Sequence, residues 1–172
     1  MGHSVLVVPV PALDPFVRER TAFYDASFLS ADPAFVNSHI TLLGPWLPTP
    51  GELDLQRVAD ALDPVPAFDF TLTEFGEFPD GLIYLRPDPV APFAELSARL
   101  VAAFPQCPPY GGAFPQPVPH LTLDRRCDTV DLATVRAAVS GLVPAHGRAD
   151  RVDLQWWDNH DCHVMHSWKL HR

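Results

Sequence analysis

The chain has 172 residues, of which 47% are hydrophobic and 19% charged, and its 21 acidic and 12 basic side chains give a net charge of −9. That composition is ample for a packed interior and excludes an intrinsically disordered chain; the length suits one globular domain, or two small lobes sharing a core. The acidic balance excludes a protein that grips long nucleic acid by its phosphates, because counterion release needs a basic surface, so a polynucleotide would have to be met at an end or as a small fragment.

In chain order, residues 4–10 (SVLVVPV) are β-branched and close with proline, which predicts a strand. Residues 13–28 carry charges with Leu13, Phe16 and Phe23 at wider spacing, as a helix would. Residues 39–43 form a strand entering a Gly44-Pro45 turn, and Leu53, Val58, Ala61 and Leu62 mark a helical stripe over 53–62. Residues 68–75 alternate as a strand, Pro79-Asp80-Gly81 supplies turn chemistry, and 82–86 returns as the second arm of a hairpin.

The same order then runs again. Residues 92–104 form a helix with Pro92 in its first turn, and a Pro/Gly-rich loop over 105–119 leads into a strand at 120–124. A helix over 131–139 follows, capped by Asp128 or Thr129, and strands at 151–157 and 163–170 flank an Asp158-Asn159 turn. His39 and His120 lie 81 residues apart, and the helices and hairpin returns of the two halves are offset by about 80. The chain therefore reads as a single domain, 1–172, with an internal repeat of approximately 1–87 and 88–172. Two like units tend to meet about a pseudo-twofold axis, bringing matching residues to a central cleft.

Three cysteines, Cys107, Cys127 and Cys162, lie far apart with no CxxC pair, so neither a zinc ribbon nor a disulfide framework is expected. The start MGHSVLVVPV has no basic region and only a short apolar run, and no stretch approaches the roughly 20 apolar residues of a membrane helix. A cytoplasmic monomer without a membrane partner is the expectation.

The repeated element that carries chemistry is H-x-T-L: His39-Ile40-Thr41-Leu42 and His120-Leu121-Thr122-Leu123. On a strand, His and Thr share one face while the two apolar residues share the other and anchor the strand in its lobe. Two such strands across a cleft would surround one phosphate with two imidazoles and two hydroxyls. Histidine, with an ordinary pKa near 6.5, can serve as base or acid near neutrality, which cleavage of a phosphodiester requires. The hydroxyls can donate to the non-bridging oxygens, and no metal or other cofactor is called for.

The tetrads, their spacing and the βα repeat resemble the 2H phosphoesterase superfamily, and within it the LigT-like bacterial proteins known as 2′-5′ RNA ligases or cyclic phosphodiesterases. HITLLGPW and VPHLTLDRR are the specific parts, and the similarity of pattern spans nearly the whole chain. The resemblance implies an α+β, bilobal fold with two pseudo-twofold-related βα lobes whose antiparallel sheets flank a central cleft. It also implies metal-independent hydrolysis of 2′,3′-cyclic phosphates, usually leaving a 2′-phosphate, with reversible 2′-5′ ligation in some members. Matched residue by residue, His39 and His120 fall on the catalytic histidines, and Thr41 and Thr122 on the phosphate-binding hydroxyls. Arg125 stands where an arginine often follows the second tetrad. After the first tetrad, Gly44-Pro45-Trp46 replaces the Phe-Leu-Gly of many LigT proteins and is closer to the Tyr-Pro-Phe of a divergent branch. A symmetric pair does not by itself separate acid from base; the expectation adopted makes His39 the acid to the leaving 3′-oxygen and His120 the base for water.

Trp46, Tyr110 and Phe114, in loops beside the tetrads, are candidates to stack on a base. Arg125 and Arg126 could fork onto phosphate, although an alternating strand turns one of them away, and Arg86 is a weaker candidate. His163 and His166 fall on opposite strand faces, which spoils chelation, and Trp156, Trp157 and Trp168 read as sheet packing. The rival to catalysis is a protein of the same fold that binds nucleotides or RNA ends without turnover. Among enzymes, the rival substrates are 2′-5′ oligoadenylate and ADP-ribose cyclic phosphate.

Overall fold

Eight strands run in one antiparallel sheet that carries the four α-helices of the described residues, in a computed structural model that describes residues 1–114 and 116–172. Pro115, inside the predicted 105–119 loop, lies outside the described residues. The order is β1 (His3–Pro9), α1 (Asp14–Asp25), β2 (His39–Leu43), α2 (Glu52–Leu62), β3 (Phe68–Glu77) and β4 (Leu82–Asp88), followed by α3 (Ala91–Ala103), β5 (Leu121–Arg125), α4 (Leu132–Ala138), β6 (Ala145–Ala149), β7 (Arg151–Trp157) and β8 (His163–Lys169).

Across the sheet the strands run β6-β3-β4-β5-β2-β1-β7-β8. The two antiparallel sheets of the expected α+β fold are its four-stranded halves, β6-β3-β4-β5 and β2-β1-β7-β8. They join at β2 and β5, where the one register pair is Ile40 opposite Leu121. Strands paired at one point splay apart as their twist accumulates, and the cleft opens there. β4 takes the place beside β5 that β1 takes beside β2. The strand at Leu82 is therefore the counterpart of the one at His3, not of the one at His163 as the spacing suggests.

β1 is buried along Leu6, Val7 and Val8, which explains its unbroken β-branched run: it is central and covered on both faces. α3 sets Phe93, Leu96 and Leu100 into the core, and Phe68 and Phe70 meet Phe93 edge-on at 5.0 and 5.1 Å. Full burial of each such side chain contributes about 1.5–3 kcal/mol. Gly81 closes the β3–β4 turn with a φ of 87°, a conformation that a side chain would strain.

Two local expectations change. Asp131, rather than Asp128 or Thr129, caps α4 by accepting from the Thr134 N–H at 2.8 Å. β6 is an addition to the expected elements, because Ala-His-Gly-Arg-Ala has little β propensity. It exists because β3 pairs with it throughout, and Gly147 leaves room for the Phe70 ring, which a Cβ there would meet at 2.4 Å.

Candidate active site

Alternation on the two tetrad strands divides their residues as their chemistry requires. Ile40, Leu42, Leu121 and Leu123 are buried, while His39, Thr41, His120 and Thr122 line one cleft of about 530 Å³, a size suited to a nucleotide. Extending the Ile40–Leu121 register by one residue each way sets His39 across from Thr122 and Thr41 across from His120. The imidazoles then occupy one diagonal of a four-residue patch and the hydroxyls the other. Such diagonal neighbours stand roughly 7–8 Å apart at their backbones, which leaves room for one phosphate between the rings.

Each ring is held the same way. Nδ1 of His39 donates to the Asn37 carbonyl at 2.7 Å, and Nδ1 of His120 donates to the Val118 carbonyl, also at 2.7 Å. A carbonyl only accepts, so Nδ1 keeps its hydrogen in both protonation states. Nε2 is thus the working nitrogen: a lone pair when the ring is neutral, a donor when it is charged.

Aromatic walls surround both rings. Trp157 lies 5.6 Å from His39 between ring centres, and Phe78 and Tyr84 lie 5.0 and 5.5 Å from His120. Burial lowers the His39 pKa to about 4, with the neighbouring His120 charge acting in the same direction and the Asn37 carbonyl opposing it. His120 is lowered too, again by burial and against the pull of the Val118 carbonyl. Both sites therefore favour neutral imidazole more than water does, and a proton on one ring disfavours a proton on the other.

A stability consequence follows. The unfolded chain protonates His39 near pH 6.5, the folded chain only near about 4, so this contribution is intact above 6.5 and is lost as pH falls toward 4. The loss approaches about 3 kcal/mol at most. Thermal melts at pH 7 and pH 4.5 should therefore differ less for His39→Gln than for the parent chain; an unchanged difference would refute this origin of acid sensitivity.

The remaining candidates separate. Trp46 does not reach the cleft: its backbone N–H donates to the Ser4 carbonyl at 2.8 Å, which turns the segment inward, and its indole is buried edge-on against Phe104 at 5.0 Å. Burial of so large an apolar ring outweighs its availability for stacking. Arg125 lies on the cleft wall, but its guanidinium donates to the Asp80 carbonyl at 3.0 Å and carboxylate at 3.3 Å. Arg126 is paired with Glu77 at 2.5 Å, and Arg86 lies 3.8 Å from Glu74. Tyr110 and Phe114, edge-on at 5.6 Å, line an adjoining hollow of about 380 Å³ that reaches His120. Tyr110 also lines a third hollow beside His39 and Trp157. Among the described residues no group of three or more His, Cys, Asp or Glu side chains is placed to hold a metal, and no helix is long and apolar enough to cross a membrane.

Several cleft residues lie outside the sequence expectation. Trp157, which reads as sheet packing, lines the cleft beside His39. Val17, Arg20, Thr21, Tyr24 and Phe28 form its opposite wall, one face of α1 and the turn after it. Their spacing is helical but their polarity is mixed, so no apolar stripe betrays them. Asp124 belongs to the cleft as well. A register shift opposite Ile83 and Tyr84 interrupts the alternation of β5, and Leu123 and Arg125 reach the cleft beside it.

The comparisons agree with this architecture. The model of the 2′-5′ RNA ligase superfamily matches residues 9–161. Escherichia coli LigT complexed with 3′-AMP superposes with a TM-score of 0.60 at 16% identity, over 99% of this chain and 98% of that one. LigT complexed with NADP+ gives 0.58 at 17%, over 99% and 98%. The protein TT0787 of Thermus thermophilus gives 0.60 at 17%, over 98% and 97%. No curated protein matches the chain by sequence.

Proposed function

The chain belongs to the 2′-5′ RNA ligase superfamily, as an enzyme of the 2H phosphoesterase type, and on that premise we propose that it hydrolyses 2′,3′-cyclic phosphates of nucleotides or RNA ends by two-histidine acid–base catalysis. The observation that carries this reading is the convergence of both tetrads on one cleft, with Nε2 left as the working nitrogen of each ring.

Of the two rings, His39 is the one the site keeps neutral, since burial holds it free of a proton down to about pH 4, and a general base must start unprotonated. We assign it to the attacking water and His120 to the leaving oxygen, the reverse of the sequence expectation. His39 Nε2 takes a proton from water as the water oxygen bonds to phosphorus. The bond from phosphorus to the 3′-oxygen breaks in line, and His120 Nε2–H protonates that oxygen. A 2′-phosphate remains, and solvent exchange resets the two rings. The Thr41 and Thr122 hydroxyls donate to the non-bridging oxygens. The scheme calls on no metal. Trp157 on one side, and Tyr110 with Phe114 on the other, offer faces for a base.

Incubation with nucleoside 2′,3′-cyclic phosphates in EDTA, with phosphorus NMR of the product, tests the reading: a nucleoside 2′-monophosphate is expected. Absence of any monophosphate would refute it in favour of binding without turnover. The pH dependence is a second check. In free enzyme His39 must be neutral and His120 charged, and both pKa values are lowered. The kcat/KM profile should therefore be bell-shaped, rising near pH 4 and falling below the usual histidine value of about 6.5. A bound anion favours protonated rings, so the kcat profile should lie at higher pH. A flat kcat/KM from pH 4 to 7 would contradict the assignment.

A further inference from the structure

The cleft contains a cation in a built setting that the two-histidine scheme does not use. Asp124, on β5 just beyond the second tetrad, has a buried side chain, 3% exposed, in a wall of mixed polarity. Its carboxylate accepts from the Tyr24 hydroxyl at 2.5 Å and from its neighbour's N–H, that of Arg125, at 2.8 Å, and it lies 2.7 Å from Arg20 Nε. Arg20 is further fixed by packing over the rings of Phe23 and Tyr24, at 4.5 and 5.2 Å from their centres, and by a long contact from Nη2 to the Tyr24 hydroxyl at 3.4 Å. Nη1 has no hydrogen-bond partner among the described residues, although the side chain is only 22% exposed. The guanidinium is thus immobilised at the cleft with donors to spare, whereas the donors of Arg125, on the same wall, are engaged by Asp80.

Position decides what these donors meet. The scissile phosphate belongs among His39, Thr41, His120 and Thr122. Asp124 lies two residues past Thr122, roughly 6–7 Å along an extended chain. That step is about the spacing between phosphates on the two sides of one ribose.

We propose that Arg20, positioned by Asp124 and Tyr24, binds a second phosphate of the substrate, the one on the 5′ side of the ribose whose cyclic phosphate is opened. The inference rests on the phosphodiesterase reading and narrows it to substrates with a 5′-phosphate or 5′-linked nucleotide. A fork of charge-assisted hydrogen bonds suits a phosphate, and in a chain of net charge −9 one placed cation gives selectivity without a basic surface. Tyr24 stays a hydrogen-bond donor, because its bond to Asp124 raises its pKa.

The test compares kcat/KM for a nucleoside 2′,3′-cyclic phosphate, the same compound with a 5′-phosphate, and a dinucleotide ending in a cyclic phosphate. The parent chain should prefer one or both of the latter two. A preference for the monoester alone identifies a terminal phosphate, and a preference for the dinucleotide identifies an internal linkage. In Arg20→Gln the ratio of the preferred substrate to the plain one should fall about 10–100-fold. A fall that is equal on all substrates, as expected for an arginine that only neutralises Asp124, would overturn the proposal, as would no preference in the parent. Should Arg20→Gln fail to fold, Arg20→Lys keeps a cation beside Asp124 without the fork, and a smaller loss of the same ratio is expected.

Calorimetry separates this inference from the reading beneath it. A nucleoside 3′,5′-bisphosphate should bind more tightly than the 3′-monophosphate, and Arg20→Gln should abolish the difference. With no turnover of any substrate the phosphodiesterase reading fails, yet that binding difference would still uphold the Arg20 site, and its absence would refute it.

Discussion

Replacing either tetrad histidine by alanine is expected to slow hydrolysis of a 2′,3′-cyclic nucleotide by about 10²–10⁴-fold, the usual worth of a positioned proton donor or acceptor. Each substitution removes an Nε2 that water replaces poorly, because water is neither held in place nor matched in pKa. Thr41→Ala and Thr122→Ala should cost less, since each hydroxyl shares support of the phosphate oxygens with its partner. Losing His39 also leaves the Asn37 carbonyl without its donor, at about 1 kcal/mol of stability, so rates should be compared well below the melting transition. Steady-state assays of the purified variants decide the point. A His120→Ala enzyme within about threefold of the parent, far short of that range, would remove that ring from the mechanism.

The second large effect concerns the joint that brings the tetrads together. Ile40 and Leu121 are both fully buried and form the register pair between the half-sheets. Truncation of a buried isoleucine or leucine to alanine costs about 2–5 kcal/mol, from lost transfer energy and the cavity left behind. For a chain of this size that corresponds to a fall of roughly 5–15 °C in Tm. The functional cost should exceed that of an equal loss elsewhere, because relaxation here shifts one histidine against the other. Leu72→Ala, at an equally buried site on β3, serves as the reference. Ile40→Ala should be the slower per folded molecule, with calorimetry and kinetics measured on the same samples. Equal rates in the two variants would show that the junction does not position the site.

Much of this was legible in the sequence, for reasons specific to each part. The tetrads stood out because strand alternation forces a division between Ile40, Leu42 and Leu121, now buried away from the cleft, and the His and Thr residues, now in it. β1 was legible because a doubly covered strand must be apolar throughout. The opposite wall was not. Val17, Arg20, Thr21, Tyr24 and Phe28 share a helical face, but that face meets a solvated cleft and carries no apolar period. Trp46 and Trp157 exchanged their expected places. A loop tryptophan was drawn into the core by the Ser4 carbonyl, while a strand-end tryptophan beside the splaying junction was left facing His39. Neither outcome has a local signature, since each depends on which strand becomes the neighbour. Asp124 shares the face of His120 and Thr122 by alternation, but it was hidden because one acidic residue carries no motif of its own and its partners Arg20 and Tyr24 come from α1, far away in the chain.

On the proposal that Arg20 binds a second phosphate, one placed cation lets an acidic chain serve such a substrate. Arg20 is fixed over two aromatic rings beside a buried carboxylate, so its position is decided before any ligand arrives. Preorganisation of that kind gives affinity from one cation where a mobile surface would need several.

The hydrolysis rate of the His39→Ala/His120→Ala double variant in EDTA, set against the two single variants, bears most directly on the claim that both imidazoles act in one step on one phosphorus. Residues that act as a unit are not additive, so the double variant should be about as slow as either single one. Losses that multiply, or a parent chain that leaves the cyclic nucleotide intact, would contradict it.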